Sequence, residues 1–311
     1  MKSKTVATHA SLLVLTFITV TFAGVQWLNK DPFDLALFSL GLTYGWLIIA
    51  FLAAHEMGHY VAARIHGVDT SLPFFLPFPP FLGLMPFGTL GAVIRIRSEL
   101  KDRRTLFDVG AAGPIAGFLV CIMILIWGMT HLPSIEYLYG IHPEYRTLSQ
   151  IPTEGLTFGK PLLYKLIETL AAPSSAFLPP MNEVYHYPYL CVGWFGAFVT
   201  ALNLLPIGQL DGGHIAYAMF GSSSHRLAQA VLIMLMVLGT ARFLPLLGIQ
   251  FSYGWAGWLM WSMILGLLLR SKRFRHPPLE DVQELGSTRE LFGWVCGIIF
   301  VLTFIVVPIS P

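Results

Sequence analysis

Apolar stretches long enough to cross a lipid bilayer alternate with shorter polar segments along most of the chain. A helix needs about 20 apolar residues to span the hydrocarbon core of a bilayer. Seven stretches approach or exceed this length, at residues 10–28, 35–65, 106–130, 187–207, 228–248, 251–270 and 291–308. The pattern therefore predicts an all-α polytopic membrane protein with about six to seven transmembrane helices.

The segment that follows the second apolar stretch does not fit a helix. Residues 71–86 contain repeated prolines, which exclude a regular helix, yet they are too apolar for a free loop in water. Irregular backbone at membrane depth is tolerated only where protein or a water-filled cavity satisfies its polar groups. At its end, GAVIRIRS alternates Ile94 and Ile96 with Arg95 and Arg97, the period of a half-buried strand. We expect a short re-entrant loop or β-hairpin here.

Composition supports a membrane location and limits the other classes of protein. Of the 311 residues, 55% are hydrophobic and 12% are charged, against roughly 25% charged in a soluble domain. The near-balanced net charge of +2 gives no reason to expect direct nucleic-acid binding. Cys121, Cys191 and Cys296 lie in apolar segments without CxxC spacing, so no disulfide framework is predicted.

The distribution of lysine and arginine predicts a cytoplasmic N-terminus. With that orientation, 14 of the 19 basic residues face the cytoplasm, as the positive-inside rule requires. The first apolar segment follows MKSK and lacks a clear small-residue cleavage site, which favours a retained anchor over a cleaved signal. The cell membrane is the default location for a multi-pass protein of this kind. A thylakoid or other internal membrane is the alternative.

Three ionisable residues interrupt the second apolar stretch. In AFLAAHEMGHYVAAR, residues 50–64, His55 and His59 are four apart and share one helix face, so both imidazoles can reach one cation. Glu56 follows His55 directly and can hydrogen-bond a water on that cation. This HExxH arrangement is typical of a metalloprotease, with two zinc ligands and a general base. A pair of core histidines beside a stray acid is the alternative, which the cost of uncompensated charge in a membrane disfavours.

A third zinc ligand must come from elsewhere, because a catalytic zinc takes three protein ligands and keeps one position open. In NLLPIGQLDGGH, Asp211 follows a helix interrupted by Pro206 and precedes two glycines that allow close backbone approach. We predict Asp211 as this ligand. His214 is its competitor, with a role behind the ligands or in the cavity lining as the alternative. Asn203 either donates to a developing oxyanion or satisfies carbonyls that Pro206 frees.

Small residues open the third apolar stretch. In VGAAGPIAGF, Gly110, Gly113 and Gly117 have a spacing that lets helices approach closely in lipid. We expect this stretch to pack against the HEMGH helix beside the metal.

Together, HEMGH, GAAGPIAG and NLLPIGQLDGG resemble the site-2 protease family of intramembrane zinc metalloproteases. The sub-pattern FGTLGAVIRIRS followed by DVGAAGPIAGF looks like the branch of cyanobacteria, plastids and some other bacteria. The resemblance implies one Zn²⁺ held by His55, His59 and Asp211, with Glu56 as catalytic base. It implies hydrolysis of peptide bonds in or near transmembrane segments of other membrane proteins, with water reaching a site closer to the cytoplasmic face.

The chain departs from the best-known bacterial members of that family. No PDZ-like insertion or CBS-domain pair interrupts or follows the motifs, and Gly117 stands where many members have asparagine. Selection of substrates by a PDZ reader is therefore not expected.

The motifs divide the chain into three predicted regions. Residues 1–30 form an N-terminal transmembrane anchor, 31–222 form the catalytic membrane core with an external loop at 131–186, and 223–311 form C-terminal helices with a cytoplasmic linker at 270–290. Two rival functions remain at this point. One is another membrane zinc peptidase, such as a prenyl-protein endoprotease, and the other is a non-enzymatic metal transporter or sensor.

Overall fold

A computed structural model describes residues 3–79, 87–98, 100, 102–249, 253–270 and 283–310, and within them the chain is mostly helical. The helices are α1 (Ser3–Gln26), α2 (Leu42–Ile65), α3 (Arg103–Thr130), α4 (Ile135–Ile141), α5 (Leu162–Ala171), α6 (Pro188–Asn203), α7 (Asp211–Phe220), α8 (Ser224–Thr240), α9 (Gly257–Arg270) and α10 (Ser287–Thr303). Four short strands are β1 (Phe74–Pro77), β2 (Thr89–Val93), β3 (Thr157–Phe158) and β4 (Ile309–Ser310).

Four helical segments of the described chain are long and apolar enough to cross a membrane. They are Thr5–Gln26, Leu35–Ile65, Arg103–Thr130 and Asp211–Leu247. Helices α6 and α10 have 16 and 17 residues, and α9 has 14, so each is shorter than a straight span through about 30 Å of hydrocarbon requires. The protein is an integral membrane protein with at least these four candidate spans among its described residues.

Helix α3 is the central element, because α2, α6 and α7 all pack against it. Asp102 is the N-cap of this helix, and its side chain accepts a hydrogen bond from the backbone N–H of Thr105 at 2.7 Å. Near its start, Gly110 lies against His214 of α7, and near its end, Gly128 lies against Tyr189 of α6. Together, α6 and α7 therefore follow α3 along most of its length in the opposite direction.

The helices define two ends of the bundle. We call the end where α2 ends and α3 begins the motif end. The described part of the predicted linker at 270–290 lies here: both Arg104 Nε and Nη2 donate to the carbonyl of Glu284, and Arg289 donates to Asp108 through Nε and Nη2, each at 2.8 Å. Residues 271–282 of that linker lie outside the described residues.

The opposite end, which we call the loop end, carries residues 131–186. Helices α4 and α5 and strand β3 form there, and β3 pairs antiparallel with β4 through Thr157 with Ser310 and Phe158 with Ile309. Because α10 begins at the motif end and β4 follows it at the loop end, α10 and the extended residues after it cross the bundle.

Strands β1 and β2 form an antiparallel pair between α2 and α3 in the sequence, with Phe74 opposite Val93 and Leu76 opposite Gly91. Extended backbone continues past β2, where a single bridge joins Thr70 and Ile96. Strand β2 therefore begins at Thr89, before the predicted GAVIRIRS strand, and ends at Val93 within it. Residues 80–86, in the middle of the predicted re-entrant loop, lie outside the described residues.

Candidate active site

Helix α2 carries the HEMGH motif on a buried face. His55, Glu56 and His59 retain exposed fractions of only 4%, 7% and 7%. The four-residue spacing stacks the two imidazoles one turn apart, and their Nε2 atoms are 3.2 Å apart. Both histidines therefore present a ring nitrogen to the same point, as the spacing predicts.

Asp211 meets these two nitrogens from α7. Its Oδ2 lies 3.2 Å from His55 Nε2 and its Oδ1 lies 3.3 Å from His59 Nε2. The structure refines its position in the chain, since α6 ends at Asn203 and Asp211 is the first residue of the next helix. The turn between the helices is tight because a Cβ on Gly212 would lie 2.0 Å from the carbonyl oxygen of Leu204.

Hydrogen bonding fixes the inward-facing nitrogen of His59. Its Nδ1 donates to the carbonyl oxygen of Val109 on α3 at 2.7 Å. In a neutral imidazole the other nitrogen, Nε2, then carries the lone pair that a metal needs. The Nε2 of His55 faces Asp211 and lies 3.2 Å from Asn203 Nδ2.

The donor set fits a zinc ion. Zinc binds imidazole nitrogen and carboxylate oxygen at about 2.0–2.2 Å in tetrahedral geometry, which separates any two ligand atoms by about 3.3 Å. The three separations here, 3.2, 3.2 and 3.3 Å, agree with that value. His55, His59 and Asp211 can therefore hold zinc and leave a fourth position open.

One cavity of about 260 Å³ is lined by the metal donors and by the other predicted site residues. His55, Glu56, His59, Asn203, Asp211 and His214 all line it. Glu56 is not part of the three-donor cluster, but it lines the same cavity as Ile94. Ile94 and Ile96, in the extended segment after β2, also line the cavity.

The small residues of α3 let it approach α2 closely, as their spacing predicts. A Cβ on Gly113 would lie 2.1 Å from His59 Nε2, and one on Gly117 would lie 3.2 Å from the Cβ and Nδ1 of His55. On the facing helix, a Cβ on Gly58 would lie 2.4 Å from the carbonyl oxygen of Ala112. The prediction that this motif packs against the HEMGH helix beside the metal donors is confirmed.

A comparison with protein-family models places the chain. The model for peptidase family M50 matches residues 44–246, which contain all three motifs. The chain belongs to this family. The resemblance to site-2 proteases is therefore confirmed.

Two curated proteins similar to this chain have zinc metalloprotease names. An Arabidopsis thaliana protein named "Probable zinc metalloprotease EGY1, chloroplastic" is 29% identical over 270 residues, 86% of this chain and 43% of the relative. A protein of Oryza sativa subsp. indica named "Probable zinc metalloprotease EGY2, chloroplastic" is 33% identical over 217 residues, 68% of this chain and 36% of the relative. The chain thus spans about two fifths of the length of these relatives.

The cavity also contains residues that sequence reasoning passed over. Gln209 and Leu210 line it, and their position directly before Asp211 was the available signal.

The depth of the site follows from α3, where Val109 is six residues from Arg103 and 21 from Thr130. At about 1.5 Å per residue, the site lies roughly 10 Å from the start of a span about 40 Å long.

Proposed function

We propose that this M50 chain is an intramembrane zinc metalloprotease that hydrolyses peptide bonds in or near transmembrane segments of other membrane proteins. One observation carries the proposal. The cluster of buried His55 and His59 with partly buried Asp211, and with Glu56 beside it, lies within the length of the apolar helix α3. A hydrolytic centre at that depth serves substrates that are themselves in the bilayer.

Each polar residue has a role in hydrolysis. His55, His59 and Asp211 would hold the zinc ion, which would supply the Lewis acidity that polarises the carbonyl and makes water more acidic. Glu56 accepts a proton from the attacking water and returns it to the nitrogen of the leaving amine. Asn203 donates a hydrogen bond to the oxyanion that develops on the carbonyl, and His214 lines the cavity behind the donors.

The edge of the extended segment after β2 binds the substrate as an added strand. The N–H groups of Arg95 and Arg97 donate towards residues 69–71, to Ser71 Oγ and the Asp69 carbonyl. Because backbone N–H groups alternate along a strand, those of Ile94 and Ile96 point to the other edge, and both residues line the cavity that Glu56 also lines. An unwound substrate pairing there would present its peptide bonds to Glu56.

Helices that cross the bundle extend the four candidate spans to the six or seven that the sequence predicts. Helices α6 and α7 run consecutively along α3 and together form one interrupted span, which leaves α8 as the span within the Asp211–Leu247 segment. Helix α10 reaches from the motif end to the loop end. The N-terminus is cytoplasmic, which puts the motif end on that side. The chloroplastic names of the relatives favour an internal membrane, such as a thylakoid, over the cell membrane.

The test compares the wild-type chain with Glu56→Gln, because Glu56 is needed for proton transfer but is not a metal donor. We expect Glu56→Gln to keep its zinc and to abolish cleavage, so that transmembrane fragments in membrane proteomes disappear while their precursors accumulate. Glu290→Gln, at the start of α10, is the matched control and should cleave normally.

The rival functions give different results. A metal transporter or sensor would keep its function in Glu56→Gln, and a prenyl-protein endoprotease would release short lipidated C-termini instead of transmembrane fragments. Either result contradicts the proposal.

A further inference from the structure

A second cluster of two histidines and a carboxylate lies at the loop end. His142 Nε2 and His186 Nε2 are 3.0 Å apart. The Oε2 of Glu183 lies 3.3 Å from His186 Nε2 and 3.7 Å from His142 Nε2. These separations are close to those of the His55, His59 and Asp211 cluster, and the donor atoms are of the same chemical types.

Hydrogen bonds from the Nδ1 atoms of His142 and His186 leave the Nε2 lone pair of each histidine facing the cluster. The Nδ1 of His186 donates to the carbonyl oxygen of Trp27, which follows α1. The Nδ1 of His142 donates to Glu144 Oε1 at 3.0 Å. In neutral imidazoles both Nε2 atoms are then acceptors. Two acceptors that face each other at 3.0 Å are satisfied by a cation between them, either a proton or a metal ion.

Glu183 adds a buried carboxylate with one oxygen that lacks a hydrogen-bond donor. Its exposed fraction is 2%, and that of His186 is 0%. The Oε1 of Glu183 accepts hydrogen bonds from the Tyr145 hydroxyl at 3.0 Å and from Asn182 Nδ2 at 3.3 Å. Its Oε2, which faces the histidines, is buried without a hydrogen-bond partner. Buried carboxylate oxygens are normally satisfied, so this one needs a cation.

We propose that His142, Glu183 and His186 form a second metal site, which takes a divalent transition-metal ion of the zinc class. Two imidazoles and one carboxylate are a standard zinc donor set, and tetrahedral zinc separates its ligand atoms by about 3.3 Å. Each proposed ligand is held by a further group: the Trp27 carbonyl, Glu144, or Tyr145 with Asn182. Such supporting contacts are typical of protein metal sites.

One existing contact must yield to the ion. Asn29 Nδ2 lies 3.2 Å from His142 Nε2, so a metal ion takes the lone pair that this amide contacts. Asn29 has a positive φ of 54° and is exposed at the end of the turn after α1. Its side chain is therefore free to swing aside into solvent.

The second site is structural and independent of the catalytic one. His186 precedes α6, and Asn203 at the end of α6 contacts His55, so the two sites are separated by roughly 25 Å of helix. An ion at the second site joins the segments around residues 142 and 183–186, and His186 links them to the end of α1. It thereby anchors the loop of residues 131–186 to the helical bundle.

Metal content of the purified full chain tests the proposal. After incubation with ZnCl₂ and removal of free metal, we expect two zinc ions per chain in the wild type and one in each of Asp211→Ala and His142→Ala. The double variant should hold at least tenfold less than the wild type. His131→Ala, which removes an exposed histidine that stacks on Trp127 at the same end, is the control and should keep two.

The design separates this site from the catalytic one and from misfolding. The ion that remains in His142→Ala shows that the chain is folded, because it occupies the catalytic donors. One ion in the wild type that persists unchanged in His142→Ala would overturn the second site. One ion that persists in Asp211→Ala and is lost in His142→Ala would support the second site and contradict the catalytic assignment.

Limited proteolysis gives a separate readout of the anchoring role. In Asp211→Ala, which removes the catalytic contribution, adding ZnCl₂ should slow cleavage within residues 131–186 at least severalfold, and adding His142→Ala should abolish this protection. Equal cleavage rates with and without zinc would overturn the anchoring role.

Discussion

The Nδ1 of His59 donates to the carbonyl oxygen of Val109 at 2.7 Å, and this bond joins the HEMGH helix to the glycine-rich helix at the metal donors. The bond sets which nitrogen of His59 faces the cavity. It is possible only because α2 and α3 pack closely, with Gly113 beneath the His59 ring. Close helix packing and the orientation of a metal donor are therefore the same feature.

Gly113→Ala should displace the His59 ring, because the added methyl group would lie 2.1 Å from Nε2. We expect at least a tenfold loss of zinc affinity and of peptide-bond cleavage, measured by zinc titration and fragment release. Leu119→Ala removes a larger volume from the same helix at an exposed position. As the control, it should leave zinc affinity unchanged, and an unaffected Gly113→Ala chain would contradict the close approach.

Ile96→Pro should impair cleavage and leave zinc content intact. Proline removes the N–H that points to the cavity-side edge, while the metal donors on α2 and α7 stay in place. Losing one strand hydrogen bond to substrate, worth about 1 kcal/mol, would lower cleavage roughly fivefold. Ile96→Val keeps the N–H and is the control. Equal activity of the two variants would remove strand addition from the proposed mechanism.

Arg289→Ala should loosen the start of α10 from α3. Arg289 donates two hydrogen bonds to Asp108, and His66 of α2 lies 2.8 Å from the same carboxylate. A bidentate arginine–carboxylate ion pair at a partly exposed position contributes about 1 kcal/mol to the free energy of unfolding. We therefore expect a lower midpoint of thermal unfolding in detergent, and a smaller difference from wild type at high salt. Arg226→Ala, at an exposed position on α8, should have no such effect.

Asp102→Ala should destabilise the start of α3 in a pH-dependent way. Partial burial opposes ionisation of Asp102, but hydrogen bonds from Thr105 outweigh it and lower the pKa of this carboxyl. A carboxyl with a lowered folded-state pKa stabilises the fold above its unfolded pKa, and that contribution disappears as pH falls through the folded pKa. Near neutral pH we expect a loss of about 1 kcal/mol in the free energy of unfolding.

The control for Asp102 is the matching amide. Asp102→Asn keeps a capping oxygen without the charge, so near neutral pH its stability should lie between those of wild type and Asp102→Ala, and its difference from Asp102→Ala should not change with pH. The gap between wild type and Asp102→Ala should narrow in acid. A gap that is constant with pH would contradict a role for the ionised carboxylate.

Removal of zinc by a chelator should lower the unfolding midpoint of the wild-type chain. Binding at 100 times the dissociation constant stabilises the folded state by about 2.7 kcal/mol, and without the ion the buried Asp211 carboxylate remains against two histidines. The midpoint should recover when zinc is restored. Glu56→Gln should show the same shift, because Glu56 is not a metal donor.

Local sequence patterns predicted which residues would meet at the candidate active site. The four-residue spacing in HEMGH already places His55 and His59 on one helix face, and helix geometry needs no tertiary information. The small residues of VGAAGPIAGF predicted a close helix contact for the same reason. The second cluster was missed because His142 and Glu183 are far apart in sequence, although Glu183 and His186 have a helical three-residue spacing that was a usable signal.

The sequence by itself determined the membrane class, the HEMGH motif and the family resemblance, because composition and short-range periodicity are local properties. Only the tertiary structure decided that Asp211 begins a new helix, that Val109 orients His59, and that His142 joins Glu183 and His186. The contacts of His59 with Val109 and of His142 with His186 bring residues distant in the chain within 2.7 and 3.0 Å of each other. Those distances are set by how helices pack against one another, which no short stretch of sequence encodes.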